Sequence, residues 1–529
     1  MKKKIWLCSF VALFLGLSSC GDFLEEYSQN QVYVTSAEDL DELLVGECFM
    51  QWSYLYSVST QKTMSSVSSY NYPWLHVMDD DVEEFVVGEL AVSEASPRNV
   101  LASFHRWQSD PFATIEEKQW EDADWSRFYE RIAVLNNVIY YAGDFRDNGD
   151  DEELLNRVEG EARFLRASYY FLLVNIYGKP YNKTTAYEDA GVPLKISEVI
   201  EDVYYTRSSV GAVYDQIVED LQNAAKCLQG ITPTSTLRVG PDAANALLSR
   251  VYLYLERYEE AIAVADLVSD SYGILDLNTW NEGENVIYHS SVETIFEQGG
   301  CAIPNIFIND SVGQWNEFDR RGASSYQVSD DLLNSYEPGD LRREAFFRFT
   351  TQTRATLPDK YKTWRTVSND PEFVGMDFLI RFPEVILNKA EALAMLNRDG
   401  EAKTELDKLR SKRFSPTDLT PVTATGEELV NFIRTERRRE LCFEGHRWFD
   451  LRRYAVNSIY PLKSDFTIRH TNYTYNASLN SWLIDGYYEL GSYQTDEAAW
   501  IVPIPNYAIE FNKGSLTNEI RPKRELKND

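Results

Sequence analysis

Apolar residues recur at helical spacing through much of this chain. From Val158 to Tyr177 (VEGEARFLRASYYFLLVNIY) they follow the 3.6-residue period and stop before Gly178 and Pro180, which predicts a long amphipathic helix. A second amphipathic stretch runs from Val203 to Leu228, with Val213, Ile217, Leu221 and Ala224 on one face. Pro241 to Val268 reads as two helices. Pro241 suits a first helical turn, and Ala243, Leu247, Val251 and Tyr254 form one stripe. Glu256-Arg257 turns the chain, and Ala261, Val264, Ala265 and Val268 form the facing stripe. The same design returns at Phe382 to Leu409. Ile386, Ala390 and Leu393 line one helix, Asn397 to Gly400 form the corner, and Ala402, Leu406 and Leu409 line the other. Small-residue helix pairs joined by short turns are tetratricopeptide-like. The two pairs are about 140 residues apart, so a large segment, roughly 269–380, is inserted between them. It is poor in helical pattern and rich in Gly, Asn, Ser and aromatics, as are residues 50–120. Loops of this length in a compact body are usually functional, and their aromatic content argues against disorder.

The first 22 residues follow a different pattern. Lys2 to Lys4 form a positive start, Ile5 to Leu17 an apolar run, and Leu17-Ser18-Ser19-Cys20 a small-residue ending. The run is too short for a permanent span, which takes ~20 residues, so residues 1–19 read as a cleaved export signal. The ending resembles a bacterial lipobox, which implies acylation of Cys20. Several acyl chains anchor durably where one is marginal. Residues 20–529 are then expected to form a single body touching the membrane only through Cys20, with an N-terminal part to residue 268 and a C-terminal part from 269.

Charge narrows the partners. The net charge is −31, and residues 1–19 remove three lysines and no acids, leaving −34. Such a surface repels nucleic acid and anionic lipid and favours neutral or cationic partners. Beyond Cys8 and Cys20, the remaining Cys48, Cys227, Cys301 and Cys442 are far apart, with no metal-like spacing; they read by default as buried thiols, and one disulfide among them is equally compatible with the sequence.

Catalytic signatures are sparse. There is no HExxH, nucleophile elbow or phosphate-cradling loop. Asp79-Asp80-Asp81 offers hard oxygens to calcium, although three consecutive acids are more often a solvated run; no cofactor is expected. The block Glu436 to Arg453 concentrates charge. Glu436 and Glu440 stand at i, i+4 among arginines, Gly445 suits a helix end, and Trp448, Phe449 and Leu451 suit docking. It reads as an Arg–Glu lock between segments rather than an active site.

Several segments together resemble the SusD/RagB family of outer-membrane lipoproteins. They are EARFLRASYYF from Glu161 through Tyr177-Gly178, ALLSRVYLYLERYEEAIAVAD from Ala246, and PEVILNKAEA from Pro383. ERRRELCFEGHRWFDLRR from Glu436 is the strongest, and Pro503-Ile504-Pro505 closes the series. The resemblance implies a mostly α fold with a tetratricopeptide-like helix-pair scaffold and long irregular aromatic-rich loops. It further implies a non-enzymatic, surface-exposed lid of a SusC-like TonB-dependent transporter that captures oligosaccharide, or in some members peptide. A surface glycoside hydrolase is the alternative of a different class.

Sugar binding takes flat aromatic faces for the CH faces of the ring and planar polar groups for the hydroxyls. The resemblance places contacts only regionally, in the two loop-rich segments. Tyr72, Trp74, Asp80 and Trp107 are the candidates in the first, and Trp280 and Trp315 in the second. Phe318 and Tyr326 accompany them, Trp364 lies outside both clusters, and Trp120 and Trp125 look like helix-packing residues.

Overall fold

Local signals set the helix ends. The computed structural model describes residues 34–50, 70–87, 96–120, 122–307, 324–349, 354–361 and 374–528. Its main helices are α1 (Ala37–Leu43), α2 (Pro97–His105), α3 (Asp124–Asp147), α4 (Glu152–Tyr177), α5 (Val210–Cys227), α6 (Pro241–Tyr254), α7 (Tyr258–Ala265), α8 (Phe382–Met395), α9 (Asp399–Arg410), α10 (Gly426–Leu441) and α11 (Arg447–Ala455). Helix α4 is capped by Asp151, whose carboxylate accepts from the N–H groups of Glu153 and Leu154. Helix α5 starts seven residues later than the apolar pattern suggests. Ser209 caps it, and the preceding residues run beside Val192 instead, with Ser208 N–H donating to Val192 O at 3.1 Å.

Helices α3 to α7 pack side by side in chain order, and α8 then joins the row against α6 and α7, followed by α9 and α10. The helix pairs far apart in sequence are therefore neighbours in space. Asn388 donates to Ser249 at 2.9 Å, and Arg250 pairs with Glu384 at 2.6 Å across the join. Ala243, Ala244, Ala390 and Ala394 are buried along these helices, and such small side chains suit close approach of helix axes. Fully buried Leu247, Leu387 and Leu406 each stabilise the row by about 1.5–3 kcal/mol. Both corners are built alike. Glu256 (φ 55°) and Asn397 (φ 58°) adopt the left-handed conformation. The next residues, Arg257 and Arg398, pair with Glu260 and Glu401 at 2.9 and 2.7 Å.

Four antiparallel two-stranded ribbons complete the described body: β1 (Val82–Val87) with β3 (Ser324–Val328), β2 (Thr294–Gln298) with β6 (Phe378–Arg381), β4 (Phe347–Phe349) with β5 (Thr356–Pro358), and β7 (Ile468–Asn476) with β8 (Ser481–Leu490). The pair β2–β6 closes the long insertion on itself just before α8, with Gln298 opposite Phe378. The pair β1–β3 joins the two loop-rich regions, with Glu84 opposite Tyr326.

The expected lock is present, but its geometry differs from the expectation. Phe443 (φ 60°) and Gly445 (φ 78°) turn the chain between α10 and α11, and Trp448, Phe449 and Leu451 are buried. Of the intrahelical pairs anticipated for Glu436 and Glu440, only Arg439–Glu436 forms, at 3.4 Å. The short bonds come from other segments. Glu440 holds Arg381 at 2.8 Å and Arg413 at 2.9 Å, and Glu444 holds Arg381 at 2.7 Å and Lys360 at 2.6 Å. Glu436 holds Arg410 at 2.9 Å and also Arg342. This buried network rivets the insertion to the helical row.

Candidate functional site

The insertion carries an open cleft of about 820 Å³, within the range of small-molecule sites. One wall is the loop around Trp280 to Gly283. Trp280 is half-buried and donates its indole N–H to Glu284 O at 3.0 Å. Gly283 takes φ 90°, a conformation that favours glycine. The loop is clipped to the end of α9, where Lys412 pairs with Asp276 at 2.8 Å and Asn278 donates to Phe414 O at 3.2 Å. Its indole is thereby fixed by its own backbone and by the scaffold.

The opposite wall is a short helix, Arg342–Phe346, running into β4 and β5. Arg342 is buried and anchored to Asp340 at 2.6 Å and to the Glu436 and Glu440 carboxylates. The next residues, Arg343 and Glu344, are exposed and line the cleft. Phe347 is buried in the wall, while Phe349, two residues along the strand, leaves 59% of its surface to solvent. Arg348 lies 3.7 Å from the buried Asp359. Aromatic rings, two guanidinium groups and carboxylates thus line one cleft. That combination suits a neutral polyhydroxylated ligand with apolar CH faces.

The structure divides the candidate residues. Trp280 lines the cleft. Trp315, Phe318 and Trp364, like Cys20, lie outside the described residues. Tyr72, Trp74 and Trp107 are corrected from ligand-facing candidates to core residues. Trp74 is fully buried and stacks on Phe104 at 4.6 Å; Tyr72 stacks on Phe128 at 5.0 Å. Trp107 donates to Met78 O at 3.0 Å and stacks on His470 at 4.3 Å. Tyr326 is likewise buried, edge-on to His105. Their rings hold the first loop region against the body. Trp125 is buried in α3, as helix packing demands, and Trp120 packs against the core at its edge.

Asp80 is also reassigned. Its carboxylate accepts from Arg447 at 2.7 and 2.8 Å and lies 3.2 Å from Arg438. Burial works against ionisation here, but these two arginines prevail and hold its pKa well below the usual carboxylate range. Asp81 bonds Arg438 at 2.6 Å. The Asp79, Asp80 and Asp81 oxygens converge within 4.8 Å, yet the positive charge beside them is supplied by Arg438 and Arg447. Guanidinium groups at hydrogen-bond distance do not fit a divalent cation among those oxygens.

A second cavity, of about 30 Å³, is bounded by Asn71, Tyr72, His76, Arg250, Asp377 and His446. It has room for water and not for an organic ligand. Burial pushes the Asp377 carboxyl up to about 6, against the opposing bonds from Gly300 N–H and Asn71. The residues missed by the sequence are Phe349, Arg343 and Arg348. No sequence period signals them, because β4 is three residues long and the helix before it five.

Comparison with known proteins accounts for this architecture. A SusD family model matches residues 366–519, and a model described as "Starch-binding associating with outer membrane" matches residues 22–253. The chain belongs to the SusD/RagB family. SusD-like protein P2 of Formosa agariphila is 25% identical over 404 residues, spanning 67% of this chain and 76% of that protein. SusD-like protein P38 of the same organism is 26% identical over 398 residues, spanning 63% and 72%. A SusD superfamily crystal structure from Bacteroides thetaiotaomicron superposes with a TM-score of 0.65 at 21% identity, covering 92% of this chain and 99% of that one. A SusD-like carbohydrate binding protein from Bacteroides vulgatus gives a TM-score of 0.60 at 18% identity, covering 91% and 97%. Among the described residues, no helix is long and apolar enough to cross a membrane.

Proposed function

We propose that this SusD-family protein is a glycan-binding lipoprotein of the outer membrane, non-catalytic, that captures oligosaccharide in the Trp280–Phe349 cleft. The observation that carries the reading is the cleft itself, where Trp280 and the exposed Phe349 share a lining with Arg343, Glu344, Arg348 and Asp359. Aromatic faces cover the apolar side of a pyranose, and arginine forks and carboxylates collect its hydroxyls. Membership in a family with a model named for starch binding supports a carbohydrate ligand. Cys20 is the proposed lipid attachment, and a SusC-like TonB-dependent transporter is the proposed partner. Tethering above such a barrel raises the effective ligand concentration, so a millimolar complex, worth about 4 kcal/mol, is sufficient for capture.

The charge of −34 favours a second reading, capture of cationic peptides. Presenting residues 22–529 to a glycan array and a peptide library separates the two. Binding to one glycan class without bond cleavage supports the proposal. Binding to peptides alone supports the second reading, and glycan hydrolysis would make the protein an enzyme.

A further inference from the structure

An exposed apolar strap crosses the surface away from the cleft. Residues 195–205 leave Ile196, Val199, Val203 and Tyr204 exposed, and Ile200 keeps 98% of its surface in solvent. Tyr140 on α3 is exposed beside them, one helical turn past Asn136, whose amide donates to Lys195 O and Ser197 O at 3.1 and 3.2 Å.

The strap is pinned by its backbone. Lys195 N–H and O both bond the Tyr170 hydroxyl, at 2.8 and 2.7 Å. At the far end Tyr205 N–H donates to Asn512 at 2.9 Å, and Ser515 donates to Tyr205 O at 2.7 Å. Four polar side chains from three other segments thus hold a run of apolar side chains outward. An exposed patch of this kind marks an interaction surface.

Charge selects the occupant. Glu201 and Asp202 within the strap, Asp144 and Asp147 further along α3, and Glu510 beyond it are all exposed, and outnumber the exposed Lys513, whose ammonium lies 4.7 Å over the Tyr204 ring. Lys195 is already paired with Glu201 at 2.6 Å. An acidic rim around an apolar centre repels anionic lipid headgroups. It also opposes a two-fold contact with a second copy, which sets like patches face to face. We infer that the strap is the docking surface for a protein with an apolar centre and a lysine- and arginine-rich rim, on the extracellular side of an outer-membrane barrel.

Chain geometry agrees. Ala37 N–H donates to Asp150 at the α3–α4 turn, at 3.0 Å, so the described chain starts beside the C-terminal end of α3. Asn136 lies about 16 Å back along that helix. The fourteen residues from Cys20 to Val34 can span up to about 50 Å, which keeps the strap within reach of a lipid anchor.

This inference rests on the transporter reading above, and the experiment separates the two. The full chain with Ile200→Cys, labelled with a maleimide photocrosslinker in native outer membranes, is compared with the unsubstituted chain and with Leu267→Cys at an exposed site elsewhere. The expected result is an Ile200 adduct to a TonB-dependent barrel that weakens as salt is raised, and none from Leu267. Ile200→Asp with Val203→Asp should cut co-purified barrel by about tenfold or more while leaving glycan binding by residues 22–529 unchanged. An adduct to a second copy, to lipid alone, or none while the barrel still co-purifies overturns the docking assignment. So does co-purification unchanged by the double substitution. If no barrel co-purifies with the unsubstituted chain, the transporter reading fails and the docking assignment falls with it.

Discussion

Arg447 grips Asp80 with two hydrogen bonds, at 2.7 and 2.8 Å, across 367 positions of sequence. It ties the loop that follows Trp74 to the first turn of α11, and Arg438 reinforces it from α10 through Asp81 and Asp331 at 2.6 and 2.7 Å. Arg447→Ala leaves the half-buried Asp80 without its bidentate partner, with only Arg438 still beside it at 3.2 Å. Chemical denaturation should show a loss of about 1–3 kcal/mol. Arg447→Lys should recover only part of it, because a point charge cannot reproduce the fork. Full recovery by lysine would show that charge alone matters here.

Trp74 and Trp107 should behave as core residues. Alanine at Trp74 removes a fully buried ring stacked on Phe104 and should cost about 3–5 kcal/mol. Binding per folded molecule, measured well below the midpoint of unfolding, should stay at the native level. A Trp74→Ala protein with native stability and lost binding would return this ring to the ligand site.

Acid should unfold the protein through the buried network. Burial works to raise the pKa of Glu440, but Arg413 and Arg381 outweigh it and hold it well below the usual range. Glu436, Glu444 and Asp450 are lowered in the same way by their arginines. A carboxylate lowered in the folded state lends stability that is present above its unfolded pKa, about 4, and is lost as pH falls through the folded value. Stability should therefore hold above about pH 5 and fall steeply below about pH 4. In the Glu440→Gln protein the acid-dependent loss should be smaller and the stability at neutral pH lower. Equal acid slopes for the two proteins would remove Glu440 from the account.

The paired corners carry a small backbone cost. Asn397 sits at φ 58°, where glycine is at ease and a Cβ-bearing residue without a local polar bond is not. Asn397→Ala should destabilise by about 1 kcal/mol, and Asn397→Gly should be neutral or slightly stabilising. Thermal melts of the two variants give the comparison; alanine matching glycine would contradict it.

Helices were legible where apolar residues keep the 3.6 period. Both pairs, at Pro241–Ala265 and Phe382–Arg410, stand where the stripes put them, and even their shared corner is visible in the text. The hairpin β7–β8 was not anticipated, because its exposed Tyr475, Leu483 and Ile484 blur the alternation of a half-buried strand. Loop aromatics were harder still. The sequence around Tyr72 and Trp74 is equally compatible with a binding face or a core plug, and only Phe104 and Phe128, on other segments, decide between them. Asp80 looked available because Arg447 is remote in sequence. Phe349 and Arg343 are not legible in the sequence because three-residue strands and a five-residue helix carry no readable period.

The cleft assignment meets its most direct test in titration calorimetry of residues 22–529 with the oligosaccharide class that binds best. Trp280→Ala and Phe349→Ala each remove one ring from the cleft and should weaken binding by about 1–2 kcal/mol, five- to thirtyfold, with little change in melting temperature for Phe349→Ala. Unchanged affinity in both variants, with the protein still folded, would contradict the cleft as the glycan site.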